Sequence, residues 1–265
     1  MGVSINTTKS LGRNVGTSLI PPKASGFTNV NSLLLGGVVG QHAESNAAYT
    51  ALNGLSKASF SMWIKPISGG SGLRYVFHIG TGGSAGSFDA QLSMWLYAGN
   101  RIQVDNNGSG PYTRGSIASL NYGSWNHIAI TCDGTQAVNA DKTRIYINGT
   151  DVTTISNLSS FSTFVNATDE LYVGESKTGK YNPFNGNIDE FAIFSGVQLT
   201  STQVTNIYNQ GGTAKPGDLM AFSPQPSLWW RMGDNNGGTG TALTDAAGST
   251  NGTLVNSASY STDVP

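Results

Sequence analysis

The sequence predicts an all-β protein: a two-sheet antiparallel sandwich with one short helix and extended termini. Three observations point there. Apolar and polar residues alternate over at least eight short runs, the period of half-buried strands. Glycine is abundant at 35 of 265 residues, and Ser, Thr and Asn crowd the connections. Charged residues make up only 11% of the chain, against roughly a quarter in an ordinary globular domain. Tight polar turns and few charges favour many short strands over long helices.

Residues 1–30 show neither period, and Pro21-Pro22 interrupts them, so they read as an extended arm. Strand character begins near residue 31. ASFSMWIKP places Phe60, Met62 and Ile64 on one face and Ser61, Trp63 and Lys65 on the other. RYVFHIG, QLSMWLY and RIQV continue the pattern with Tyr75, Phe77, Ile79, Leu92, Met94, Leu96, Ile102 and Val104 on the core face. SWNHIAITCD sets Ile128, Ile130 and Cys132 against Trp125 and His127. TRIYINGTDV carries Ile145 and Ile147 into Asn148-Gly149, the pair favoured by a type I′ hairpin turn. ELYVGES and NIDEFAIF complete the strands.

One helix follows. In LTSTQVTNIYNQGG, Thr200 and Gln203 have capping-box spacing, and Val204, Ile207 and Tyr208 form one apolar stripe. Gly211 is placed to terminate the helix. A helix this short is expected to pack over one end of the sandwich.

Composition excludes several classes. A net charge of −1 without a basic block offers no footprint for nucleic acid. No apolar run approaches the roughly 18 residues of a membrane-spanning helix, and the opening MGVSINTTKS lacks the apolar stretch of a secretory signal. Cys132 is the single cysteine, so no intrachain disulfide forms, and a buried inert thiol is expected. His42, His78 and His127 are scattered singly, without zinc-ligand spacing. GTGGSAG at 80–86 reads as a hairpin loop rather than a phosphate cradle.

Taken in order, the SFSMW strand, the WNHIAIT strand, the IYING hairpin and G-x-IDE-x-x-IF before a short helix carry a resemblance. Residues 31–212 resemble the laminin G-like jelly rolls of the concanavalin A-like superfamily. That resemblance implies a jelly-roll sandwich and says little about activity, since lectins, adhesion modules, glucanases and virion parts share it. The tail, 213–265, looks like the segment that usually opens such a domain, with its WW-x-x-GD and NGTLVN elements. It is expected to complete the same sandwich or a neighbouring one. With the charge-poor, glycine-rich domain, this tail also resembles proteins of tailed phages.

The resemblance sharpens the question posed by Asp189 and Glu190 in FNGNIDEFAIF. Glucanases of the superfamily carry E-I-D-x-x-E, with two glutamates as nucleophile and acid. Here the first glutamate position is Asn187, and the second falls near Phe191 or Ala192. Adjacent strand residues also point to opposite faces, so Asp189 and Glu190 are not expected to converge. No enzyme is expected. Related domains hold a structural calcium near this position, which implies Asp189 as a ligand, helped by Asp234 or Asp245; a salt bridge or turn hydrogen bond is the alternative.

Trp63, Trp95, Tyr97 and Trp125 lie opposite the apolar faces of their strands. They form either a sugar-stacking platform or a second hydrophobic layer beneath loops, arm or tail. Trp229 and Trp230 should alternate, one in the core and one towards a partner. The expectation is a non-enzymatic phage virion protein, made in the host cytoplasm, such as a capsid decoration or fibre subunit. Its arm and tail would bind copies of itself or other virion proteins, because ordering each arm residue costs about 1–2 kcal/mol that contacts must offset. The alternative is a lectin-like adhesion module holding host-surface glycan.

Overall fold

A computed structural model describes residues 26–67, 74–80, 90–97, 101–106, 113–115, 120–155, 162–164, 170–176 and 182–265. The loop expected at 80–86 and most of the arm therefore lie outside the described residues.

The strands run in chain order from β1 (Ser32–Gly36) and β2 (His42–Ser45) to β3 (Lys57–Pro66) and β4 (Arg74–Gly80). Next come β5 (Ala90–Tyr97), β6 (Arg101–Asn106), β7 (Thr113–Gly115) and β8 (Asn126–Asp133). The hairpin β9 (Thr143–Ile147) and β10 (Thr150–Asp151) precedes β11 (Thr153–Ile155), β12 (Leu171–Val173), β13 (Asn182–Pro183) and the long β14 (Asn185–Ser195). After helix α1 (Ser201–Tyr208), the tail supplies β15 (Leu228–Trp230), β16 (Ala242–Leu243), β17 (Gly252–Val255) and β18 (Ser259–Ser261).

Two sheets result, as the alternation requires. The first has the order β10-β9-β8-β3-β14-β1-β18, with β15 also on β14; the second has β11-β7-β6-β5-β4-β12-β2-β17-β16, with β13 on β4. Period-2 alternation aims one face of each strand into a shared core. Phe60, Ile128, Ile145 and Ile193 of the first sheet meet Phe77, Leu92, Met94 and Val173 of the second, all fully buried. Cys132 belongs to this core as a free thiol. Asn148 and Gly149 both have positive φ, as the predicted hairpin turn demands.

The tail strands pair within the chain: β18 with β1, β15 with β14 and β17 with β2. Residues 31–212 and 213–265 thus share one sandwich. Trp230 enters the core fully buried, and Trp229, at 2% exposed, packs on the other side of the first sheet. Neither ring faces outward, because β15 is covered on both sides.

The helix lies over the outer face of the first sheet rather than over one end of the sandwich. Ala129 and Ala192 leave room there for Val204, Ile207 and Leu199, joined by Leu219, Phe222 and Trp229. Thr200 and Gln203 form the predicted capping box, but Asn209, not Gly211, caps the C-terminus. Asn209 N–H closes the last turn onto Thr205 and Asn206 carbonyls, ending the helix two residues earlier.

Removing the tail opens the core on both sheets. A chain ending at Gly212 should show no cooperative thermal transition by near-ultraviolet circular dichroism. Trp230→Ala in the full chain should cost about 3–5 kcal/mol in denaturant unfolding.

Candidate functional site

The outer faces of the two sheets differ in chemistry. On the first, β14 carries a bulge: Asp189 pairs with Trp63, and the register resumes at Ala192 opposite Ser61. Glu190 takes up the extra residue at φ +49°, so it and Asp189 both project to the outer side. The expectation that strand alternation separates the two carboxyls therefore fails. A bulge interrupts the alternation on which it relied.

Both carboxyls are buried and fully engaged. Asp189 accepts from Asn29 Nδ2 at 2.9 Å and from Glu190 N–H at 2.8 Å. Glu190 accepts from Trp229 Nε1 and, at 3.3 Å, from Arg231 Nε. Arg231 also donates to Asp234 at 2.8 Å and to the Thr28 carbonyl, and its guanidinium lies 4.4 Å from the Phe27 ring centre. Asp234 in turn accepts from the backbone N–H groups of Val30 and Asn31. Two carboxylates, Glu190 and Asp234, thus share one guanidinium, with Asp189 beside them on neutral donors. Burial, and then the Glu190 charge, push the Asp189 carboxyl well above its ordinary range. Burial lifts Glu190 to about 7 against the pull of Arg231.

This node does not fit calcium. Each of its carboxyl groups is already engaged by N–H donors, and Arg231 supplies the positive charge between Glu190 and Asp234. Asp245, the other expected helper, accepts from Trp229, Ala247 and Thr250 N–H groups and organises a turn. Among the described residues, no group of three His, Cys, Asp or Glu could hold a metal. The cavity beside Glu190, lined by Ser61, Trp63 and Ile207, holds about 10 Å³, space for a single water, while an open cleft of about 300 Å³ lies along the segment that carries Thr28 and Asn29.

The aromatic residues expected to form one platform are divided between the sheets. Trp63 is 3% exposed and stacks on Tyr208 of α1 at 5.6 Å, a second hydrophobic layer. His127 is buried beside it, bonded to Ser61 Oγ at 2.9 Å, and burial lowers its imidazole to about 3. That Ser–His pair lies sealed under the helix. Trp125, half-buried, donates from Nε1 to Asp263 of the tail at 3.0 Å, and Lys65 binds the other oxygen of that carboxylate at 2.6 Å. Trp95 and Tyr97 belong to the second sheet.

There they join a different surface. Tyr75, His78, Ser93, Trp95, Gln103 and Asp105 all point outward from β4, β5 and β6, opposite the core residues between them. Ser93 pairs in register with both His78 and Asp105, and Trp95 with both Tyr75 and Gln103. The Tyr75 and Trp95 rings lie 5.2 Å apart, with His78 edge-on to Tyr75 at 5.8 Å. A bulge at Val76 keeps Tyr75 and His78 on one face, although alternation would oppose them. All six are buried, while Tyr97, next on the same face of β5, is 37% exposed. Sequence reading found Trp95 and Tyr97 but missed the polar residues around them; the signal was a strand polar at every second position yet short of lysine and glutamate.

Residues 36–205 match a laminin G family described as the concanavalin A-like lectin/glucanases superfamily. The chain belongs to the concanavalin A-like lectin/glucanase superfamily. No curated protein matches this superfamily member in sequence. Among solved structures, it is similar to a heptameric SAP-like pentraxin from Limulus polyphemus, with TM-score 0.53 and 14% identity over 85% of this chain and 95% of that one. It is also similar to a candidate carbohydrate-binding protein from Bacteroides ovatus, with TM-score 0.57 and 18% identity over 89% of this chain and 60% of that one. At these identities the likeness is one of fold.

Two outcomes test the node. Arg231→Met should destabilise the protein by about 3–5 kcal/mol, because it strands buried carboxylates, whereas EDTA should leave the melting temperature unchanged. The carboxyls of Asp189 and Glu190 titrate higher folded than unfolded. Their contribution is therefore complete below the ordinary carboxylate range, and that of Glu190 is lost as pH rises through about 7. Calorimetry should show a lower melting temperature at pH 8.5 than at pH 6.

Proposed function

We propose that this protein is a non-catalytic carbohydrate-binding sandwich whose glycan contacts come from the outer face of its second sheet. One observation carries the reading: Tyr97, 37% exposed, stands on that face at the end of a buried layer that includes Trp95 and Tyr75. An exposed aromatic ring stacks on the apolar face of a sugar ring, the usual anchor of a glycan contact. The first sheet offers no counterpart, since α1 plugs its outer face with apolar side chains.

The superfamily and the Bacteroides ovatus relative support a glycan as the ligand class. A non-catalytic role is supported by the one carboxylate pair that sequence brought forward, which is buried and engaged by internal donors. The resemblance of the tail to tailed-phage proteins adds a setting: a particle component that meets glycan on a host surface.

The test is an array of bacterial-surface, plant and animal glycans probed with the intact protein. Binding should appear, and Tyr97→Ala should weaken it about 5- to 10-fold, the scale of one lost aromatic contact. Silence across the array would overturn the reading.

A further inference from the structure

The second sheet carries a titratable cluster at its tail-side end that neither the core nor the proposed glycan face uses. His42 of β2 is 9% exposed, and both of its ring nitrogens face carboxylates. Nδ1 lies 3.3 Å from Glu175 Oε2, and Nε2 lies 3.2 Å from Glu44 Oε2. A neutral imidazole has one N–H and one lone pair, so it can donate to only one of them. The other nitrogen would then set its lone pair against a carboxylate oxygen. Only the imidazolium satisfies both contacts.

Among the described residues, no other cation pairs with Glu44 or Glu175. Glu44 comes from the same strand and Glu175 from just beyond β12, while Tyr172 of β12 packs its ring 5.0 Å from the imidazole. Glu170 accepts from the Tyr172 hydroxyl at 3.4 Å. On the other side β17 pairs Val255 with His42 and Thr253 with Glu44, neither ionisable. Among the described residues, His42 forms the ion pairs of both Glu44 and Glu175. Glu175 is 2% exposed and also accepts the Gly40 N–H at 3.0 Å. The β1–β2 turn is thereby fastened to the end of β12 through one carboxylate.

We propose that His42 is a proton-operated clamp: as imidazolium it ties Glu44 to Glu175 and seats the β1–β2 turn, and as neutral imidazole it releases one carboxylate and loosens that corner. Burial opposes the charge, but the hydrogen bonds and charges of Glu175 and Glu44 outweigh it and raise the imidazole above its ordinary value. A group raised on folding stabilises fully below its unfolded value, about 6.5. Its contribution is lost as pH climbs through the folded value. The clamp is closed in mild acid and opens towards alkaline pH. Val38 and Val39, 60% and 65% exposed, ride on the turn it holds. The device is independent of the glycan reading.

Nuclear magnetic resonance of the full chain tests it. The His42 ring should titrate with a midpoint above 6.5, and protection of the Gly40 amide from hydrogen exchange should fall about tenfold between pH 6 and pH 8.5. His42→Gln should abolish that pH dependence. Glu44→Gln, at a carboxylate whose side chain is 33% exposed, preserves the packing and should lower the midpoint. A midpoint below 6.5, one unmoved by Glu44→Gln, or a Gly40 response that survives His42→Gln would each overturn the clamp.

Discussion

The Arg231 guanidinium is the contact on which the ends of this sandwich depend. From the tail it reaches the bulge of β14 through Glu190 and the segment before β1 through the Thr28 carbonyl, and it also pairs with Asp234 three residues on. Asp234 returns the tie by accepting from Val30 and Asn31. Strands distant in sequence therefore meet at one buried charge. A buried ion pair adds little net stability, because desolvation opposes it, but breaking one is costly. Such a node specifies where the tail docks more than it strengthens the fold, and here it leaves two carboxyls to be neutralised by protons.

Around that node the two sheets have taken opposite courses. The outer face of the first is committed to packing: Ala129 and Ala192 admit the helix, and Trp63 and His127 disappear beneath Tyr208. The second keeps Asp105, His78, Ser93 and Gln103 among its aromatic rings. Polar groups buried on a sheet face forfeit hydration, and an apolar face would avoid that cost. His78 and Asp105 offset it through interactions within the protein, and Tyr97 is the ring of this side that stays exposed. Titratable contacts occur on both sheets, at Glu190 and at His42, and both favour mild acid because each site gathers more carboxyl groups than fixed cations.

The strands, their core faces, the Asn148-Gly149 turn and the capped helix were legible in the sequence because each depends on local period or local chemistry. Phe60, Ile128 and Ile145 announce their face by alternating, and Thr200 with Gln203 announces a cap by spacing. The bulges at Glu190 and Val76 were not legible: an extra residue in a strand leaves the alphabet of the sequence unchanged and appears only in the register with a partner strand. For that reason the Asp189–Glu190 pair read as divergent, and Tyr75 read as a core residue. The partners of Trp63, Trp125 and Trp229 were equally hidden, since α1, Asp263 and Glu190 lie far from them along the chain or in an orientation that no local pattern encodes. By itself the sequence determined a two-sheet sandwich and the faces of its strands. Tertiary structure alone decided which face is plugged and which stays polar, and that an arginine rather than a metal occupies the acidic node, because those outcomes are set by which distant side chains reach the same buried space.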